Sequence, residues 1–531
     1  MKTIIKYKIL IAFMTGVFVS CGEYLDTEPT DRVSGSTIFN DAQAAKTAIN
    51  GSYSMLWRAV YVSGNTAHAY GYQSTLFAQE LMGDDVIQKS FNWFGWDYDL
   101  SYTTQLVSNT VGTASRSYNV WNMNYTVISN ANYIIAEDGK IGGDQVLAKN
   151  VLAQAYALRA LCYFELIQGY QFTYLGNESK QGVPVYTEPT RAGAEGKPRG
   201  TVADVYELIN SDLARSIELF TEIGKPVQEH SSFVDYYVAK GFQARVALVQ
   251  GRWADAYEAA AQARSKRGGV ALLKGDEILN GFNNRTMASN LWAMEMLSDQ
   301  SPIYGSYFCH LDANPQAPTS YGHQHRKCIS KWLYDKIANT NFADNRVNWF
   351  KNGDQGTAVT GENVNYGQMK LRSRILSNWV GDIILMRAEE MLLIQAEAKS
   401  RLGDFETART LLNELAAVRL TSAVGRESYN AYITNLANAN TMPTLTNTDP
   451  TNILEEVILQ RRIEFWGELG RIKDILRLKQ GYTRNYSGSN HTEMLVGKNT
   501  NANSGAFLFN IPQTEFDGNV NIDSSEQNPT E

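Results

Sequence analysis

Apolar side chains recur at helical spacing in several separate stretches of this chain, and long polar and aromatic stretches lie between them. From Val146 to Tyr170, Ala153, Ala157, Leu161 and Phe164 stand at i, i+4, i+8 and i+11, which is one face of a helix. Val205, Leu208, Ile209 and Leu213 form a second stripe. Thr201 precedes it as an N-cap, and Asp204 in the first turn complements the helix dipole. Ile453 to Phe465 and Ile472 to Lys479 predict one more helix pair near the C-terminus.

Two further segments align with each other without gaps: Ala244, Gly251, Trp253, Ala256 and Ala263 against Ala396, Gly403, Phe405, Ala408 and Leu415. Their shared offsets of 7, 9, 12 and 19 residues match the tetratricopeptide pattern. Small residues let two antiparallel helices approach, the glycine turns the chain, and the aromatic ring fills the cleft. The predicted fold is therefore mostly α. About four tetratricopeptide-like helix pairs, over about residues 145–265 and 380–480, form a scaffold. The stretches 61–114, 171–200, 283–330, 351–378 and 484–531, rich in Asn, Ser, Gly, Tyr and Trp, are insertions on one face. Long insertions in a compact protein tend to carry function.

At the N-terminus Lys2, Lys6 and Lys8 precede an apolar run from Ile9 to Val19 that ends at Ser20 and Cys21. This is the layout of a secretory signal peptide over residues 1–20, too short for the roughly 20 apolar residues that span a bilayer. Phe18-Val19-Ser20-Cys21 resembles a lipobox, which makes Cys21 the expected lipidation site and residues 21–531 a single mature domain. Removing the signal peptide, which holds three lysines and no acid, takes the formal charge from −7 to −10. That balance, without a Lys/Arg-rich run, argues against nucleic acid as a partner. With Cys21 assigned to lipid, Cys162, Cys309 and Cys328 remain; Cys162 falls on the apolar side of a helix, and whether Cys309 and Cys328 pair is left open.

A saccharide offers C–H faces and a rim of hydroxyls, so its binder needs flat rings beside carboxylates and amides. The segment from Gly83 to Leu100 supplies Trp93, Trp96 and Tyr98 among Asp84, Asp85, Asn92 and Asp97, and in extended chain Trp96 and Tyr98 share a face. The plainer alternative is that these rings pack the insertion onto the helices. A surface glycoside hydrolase is a competing reading, but the adjacent Asp84 and Asp85 diverge on either a strand or a helix and make a poor acid and nucleophile pair. Cys309, His310, His323, His325 and Cys328 fit no zinc-ligand spacing, and Asp517, Asn519, Asn521 and Asp523 lack the bidentate glutamate of a calcium loop. No metal or cofactor is expected.

Over essentially its whole mature length the chain resembles the SusD/RagB family. The resemblance rests on Tyr24 to Asp31, the helix with Ala157-Leu158-Arg159-Ala160, the Gly182-Val183-Pro184-Val185 turn, Asp344 with Arg346, and the segment from Ile384 to Ala408. It also rests on Gln460 to Arg477, with Arg461, Arg462, Glu464, Glu468, Arg471, Asp474 and Arg477 in matching places and Leu469 where Gly is common. We read that charged segment as a buried, salt-bridged helix with Arg462 near Glu464 or Glu468, not as a binding site. The resemblance implies a cell-surface lipoprotein of the outer membrane that binds a glycan and hands the oligosaccharide to a SusC-like TonB-dependent transporter. In RagB-like members a peptide takes the glycan's place. It further implies aromatic ligand contacts in the first insertion and in the one before Ser330, where Tyr304, Tyr307, His310, Tyr321 and His323 are the candidates.

Overall fold

The apolar stripes become helices that close on one another. The computed structural model describes residues 41–57, 70–88, 116–191, 193–300, 303–313, 319–353, 363–492, 496 and 499–529. The signal peptide, Cys21, Asn92, Trp93, Trp96 and Tyr98 lie outside the described residues. In chain order the helices are α1 Ala42–Trp57, α2 Tyr72–Leu81, α3 Arg116–Ile135, α4 Gln145–Tyr170, α5 Val202–Glu222, α6 Tyr236–Val249 and α7 Trp253–Arg264. There follow the short α8 Tyr307–Leu311, α9 Tyr321–Gln324 and α10 Lys331–Ile337, then α11 Ala388–Arg401, α12 Phe405–Arg419, α13 Ala423–Asn435, α14 Ile453–Glu464, α15 Arg471–Arg477 and α16 Gln513–Gly518. Among the described residues eight short strands form antiparallel pairs: β1 Val86–Gln88 with β5 Lys327–Ile329, β2 Gln181–Pro184 with β3 Arg199–Thr201, β4 Asn290–Met294 with β6 Ile383–Arg387, and β7 Tyr482–Thr483 with β8 Asn499–Thr500.

Helices α4 and α5 run antiparallel, as their cross-links show: Lys149 meets Glu222 at 2.7 Å, Ser216 Oγ donates to Ala153 O at 2.7 Å, and Arg159 grips Asp212 with two bonds of 2.7 and 2.8 Å. Thr201 caps α5 reciprocally with Asp204, each side chain taking the other's backbone N–H. The pairs α6–α7 and α11–α12 turn in the same way. Gly251 and Gly403 are both left-handed, at φ +70° and +80°, and the next residue donates back to Ala247 O in one pair and Lys399 O in the other, at 2.9 Å each. Ala244, Ala256, Ala396 and Ala408 are fully buried between the helices.

The fourth predicted pair departs from this arrangement. Helix α14 packs on α11, but α15 turns away onto α2. Gly467 and Gly470, both left-handed, redirect the chain, and the Glu80 carboxyl of α2 accepts the backbone N–H groups of Gly467, Leu469 and Gly470 at 3.3, 3.1 and 2.7 Å. A buried acceptor from far away in sequence thus fixes the turn.

The charged helix is buried, with partners other than those the sequence suggested. Arg462 does not reach Glu464 or Glu468. Glu464 instead accepts from Arg346, Arg387 and Arg419 at 3.2, 2.7 and 2.6 Å, and Glu468 from Lys370 and Arg387 at 2.5 and 3.0 Å. The reason is periodicity: Arg462 lies half a turn from Glu464, on the side facing α2 and β1.

Candidate functional site

Strand β1 begins directly after Asp84 and Asp85. Arg462 closes on Asp85 with bonds of 2.6 and 3.0 Å and touches Asp84 at 3.3 Å, while Arg471 Nε meets Asp85 at 2.9 Å and Asp84 at 3.2 Å. Thr446 Oγ1 adds a 2.5 Å bond to Asp84, and Trp466 Nε1 donates to the Asp85 carbonyl at 2.9 Å. Burial alone raises Asp84, but the Arg462 and Arg471 guanidiniums outweigh it and hold its carboxyl at about 2. At 0 and 1% exposure neither aspartate offers an oxygen to a ligand, so their expected part in ligand contact is corrected to that of an anchor. The same placement removes them as a hydrolytic pair.

The anchor sets the position of β1, and β1 pairs with β5 in the register Val86 to Ile329 and Ile87 to Cys328. The chain reaches β5 through α8 and α9, which pack tightly. Ser320 Oγ accepts the His323 N–H at 2.9 Å and donates to Asp312 O at 2.8 Å, and a Cβ on Gly322 would come within 2.5 Å of that same carbonyl. Cys309 and Cys328 are buried free thiols, and burial pushes Cys309 up to about 11.

Rings from four separate stretches meet here in a column. Tyr70 stacks on His310 with centroids 5.2 Å apart and planes at 25°, and His310 on Tyr321 at 4.8 Å and 26°. Tyr321 meets Tyr304 at 5.9 Å, and Tyr304 meets Trp379 at 5.7 Å and 38°. The inner rings are buried, Tyr321 is half-buried, and Tyr304 is 48% exposed at the outer end. Trp379, 5% exposed, holds its place in a left-handed backbone at φ 51°, and Ser306 Oγ pins its carbonyl at 2.7 Å. Such strain in a non-glycine residue persists only where its surroundings enforce it, and it concentrates at ligand clamps.

Of the residues singled out from the sequence, Tyr304, His310 and Tyr321 come together in this column. His323 lies half-buried beside it, its Nδ1 3.3 Å from Ala313 O. Tyr307 does not join them: it is buried, packs edge-on against Phe77, and donates to Gly467 O at 2.9 Å, so its role as a ligand contact is corrected to packing. Tyr70 and Trp379 are the members the sequence did not single out. Tyr304, held between Tyr321 and Trp379 and half-exposed, offers an aromatic ring suited to contact with the C–H face of a sugar.

Family models, a related protein and solved structures all bear on this geometry. Residues 28–248 match a family described as starch-binding associating with outer membrane, and residues 331–530 match the SusD family. SusD-like protein P38 of Formosa agariphila is 24% identical over 88% of this chain and 90% of that one. The crystal structure of a SusD-like carbohydrate binding protein from Bacteroides vulgatus superposes with a TM-score of 0.73 at 25% identity, covering 91% of this chain and 98% of the other. A laminarin binding SusD-like protein superposes with a TM-score of 0.64 at 18% identity, covering 92% and 100%.

Proposed function

Because the chain belongs to the SusD/RagB family, we propose that it is a cell-surface glycan-binding lipoprotein that takes up an oligosaccharide on the Tyr304 column and passes it to a SusC-like TonB-dependent transporter. The half-exposed Tyr304, backed by Tyr321 and Trp379, carries this reading, since it supplies the platform that a sugar face needs. Trp93, Trp96 and Tyr98, which follow β1 in sequence, are proposed from the sequence as further ligand contacts. Lipid on Cys21 would hold the protein to the outer membrane. No catalytic role is assigned. The Asp84 and Asp85 carboxylates are consumed by Arg462 and Arg471, and capture alone needs no acid or base.

Affinity electrophoresis through gels containing laminarin, starch, xylan or mannan tests the reading. The wild type is expected to be retarded by at least one polysaccharide. Loss of one stacked ring is worth roughly 1 to 1.5 kcal/mol, so Tyr304→Ala should weaken that retention by about tenfold. Unchanged retention of the variant on every gel that retards the wild type moves the site elsewhere. A steady release of reducing ends by the purified protein would make it a hydrolase. Binding of oligopeptides with no retention on any gel would favour a peptide cargo. Co-purification of a TonB-dependent barrel with the affinity-tagged protein checks the transporter.

A further inference from the structure

A second pocket, sharing no residue with the Tyr304 column, opens where α3, the β2–β3 connection and α16 meet, with a volume of about 430 Å³. That is the size of a small-molecule site. Its floor and one wall are aromatic. Trp121 lies 4.9 Å from Tyr125, and Tyr125 lies 5.8 Å from Tyr186 with planes at 86°. Trp121 is buried from one side by Tyr170, while Tyr125 and Tyr186 are half-buried and face the opening.

The walls are fixed before any ligand arrives. Trp121 Nε1 donates to Glu515 Oε2 at 3.1 Å, Tyr125 OH donates to Pro184 O at 2.8 Å, and Tyr186 OH accepts the Lys197 N–H at 3.0 Å. Buried Asn132 donates to the carbonyls of Tyr186 and Glu188 at 3.0 and 3.1 Å, and Asn519 ties Lys197 O to the C-terminal segment at 2.9 Å. The connection between β2 and β3 is therefore laced to α3 on one side and to α16 on the other. An ordinary surface loop has no need of both.

The groups left for a ligand are both neutral and charged. The Asn122 amide and Thr514 hydroxyl line the pocket with no side-chain partner among the described residues, and the exposed Glu188 and Glu195 line it too. Lys197 Nζ hovers 5.8 Å over the Tyr186 ring, a loose contact that a ligand can displace. Two partly buried phenol rings bordered by an amide, a hydroxyl and carboxylates suit a polyhydroxylated ring: C–H groups meet the aromatic faces, and hydroxyls both donate to the carboxylates and accept from the amide. An anionic ligand is disfavoured by the two glutamates.

From this we propose that the pocket is a second saccharide subsite, built to hold one or two neutral sugar units independently of the Tyr304 column. The protein labelled with fluorotryptophan tests it, because the Trp121 resonance, assigned through Trp121→Phe, reports on this pocket alone, and that of Trp379 reports on the column. Titration with laminarihexaose, maltohexaose, xylohexaose and mannohexaose to millimolar concentration is expected to shift the Trp121 signal saturably for at least one sugar. The shift should survive Tyr304→Ala and be abolished by Asn122→Trp and by Thr514→Trp, which fill the pocket from opposite walls. Movement of Trp379 with Trp121 unmoved by every sugar overturns the second subsite and leaves the column reading intact. Movement of Trp121 alone supports the subsite and counts against the column. If neither moves, both fall. A saturable Trp121 shift with tetramethylammonium but with no sugar would make the pocket an aromatic cation site and overturn the saccharide assignment.

Discussion

Glu80 shows how much one side chain can decide. Its carboxyl, buried in α2, accepts three backbone N–H groups from the turn between α14 and α15, yet no guanidinium among the described residues pairs with it. Burial therefore dominates and raises its pKa to about 8. The unfolded chain loses this proton near pH 4.5 and the folded chain only near 8, so folding stability declines as pH rises between those values. Glu80→Gln, which imitates the neutral acid, should be the more stable form at pH 8 and close to the wild type at pH 5, as read by urea midpoints. Equal midpoints of the two proteins at both values would remove the buried proton from the account. Residue-scale chemistry was only partly legible beforehand. Tyr304 and Tyr321 stood out because the family resemblance implies aromatic ligand contacts in the insertion before Ser330. Trp379 did not, because its positive φ and its contact with Tyr304 are products of the fold. Asp84 and Asp85 were misassigned because the Arg462 that neutralises them lies 377 positions away from Asp85.

At the scale of elements, the turns do most of the specifying. Gly403 sits at φ +80° with open space around its Cα, so Gly403→Ala pays only backbone strain, on the order of 1 kcal/mol. Gly251→Ala should cost more, because its new methyl would also press on Leu175 Cδ1 at 3.2 Å. Chemical denaturation of both variants checks the order, and a larger loss for Gly403→Ala would contradict it. Arg462→Ala leaves two buried carboxylates to share Arg471 and should cost roughly 3–5 kcal/mol, visible as a lower thermal midpoint. These turn glycines could be read from sequence because each repeat carries its own copy at the same offset. The departure of α15 from its neighbour could not, since the acceptor that bends it, Glu80, belongs to another part of the chain.

On the scale of the whole molecule, one hydrophobic cluster draws on residues from Ala42 to Ile511. A fragment ending at Val249 would expose the faces of α2, α4 and α6 that later residues cover, so it should show no cooperative thermal transition. A sharp transition in that fragment would mean that the N-terminal half is a domain of its own. Acid acts on the whole in the direction opposite to Glu80. Asp84 is held at about 2, and Glu464 and Asp474 are held low by their arginines despite burial, so their contribution is complete above the ordinary carboxylate range and is lost as pH falls through the native values. The mostly helical fold was legible because helical periodicity is local. How the helices close around the column was not, because it depends on pairs such as β1 with β5.

The clasp of Asp84 and Asp85 by Arg462 and Arg471 also has a consequence in time. A chain is made from its N-terminus first. The strand that leads into the first insertion must then wait for nearly the whole remaining polypeptide before its counter-charges arrive. The β1 anchor is thus among the last parts to set, and a product cut short before Arg462 leaves it unlatched, a natural mark for proteolytic clearance.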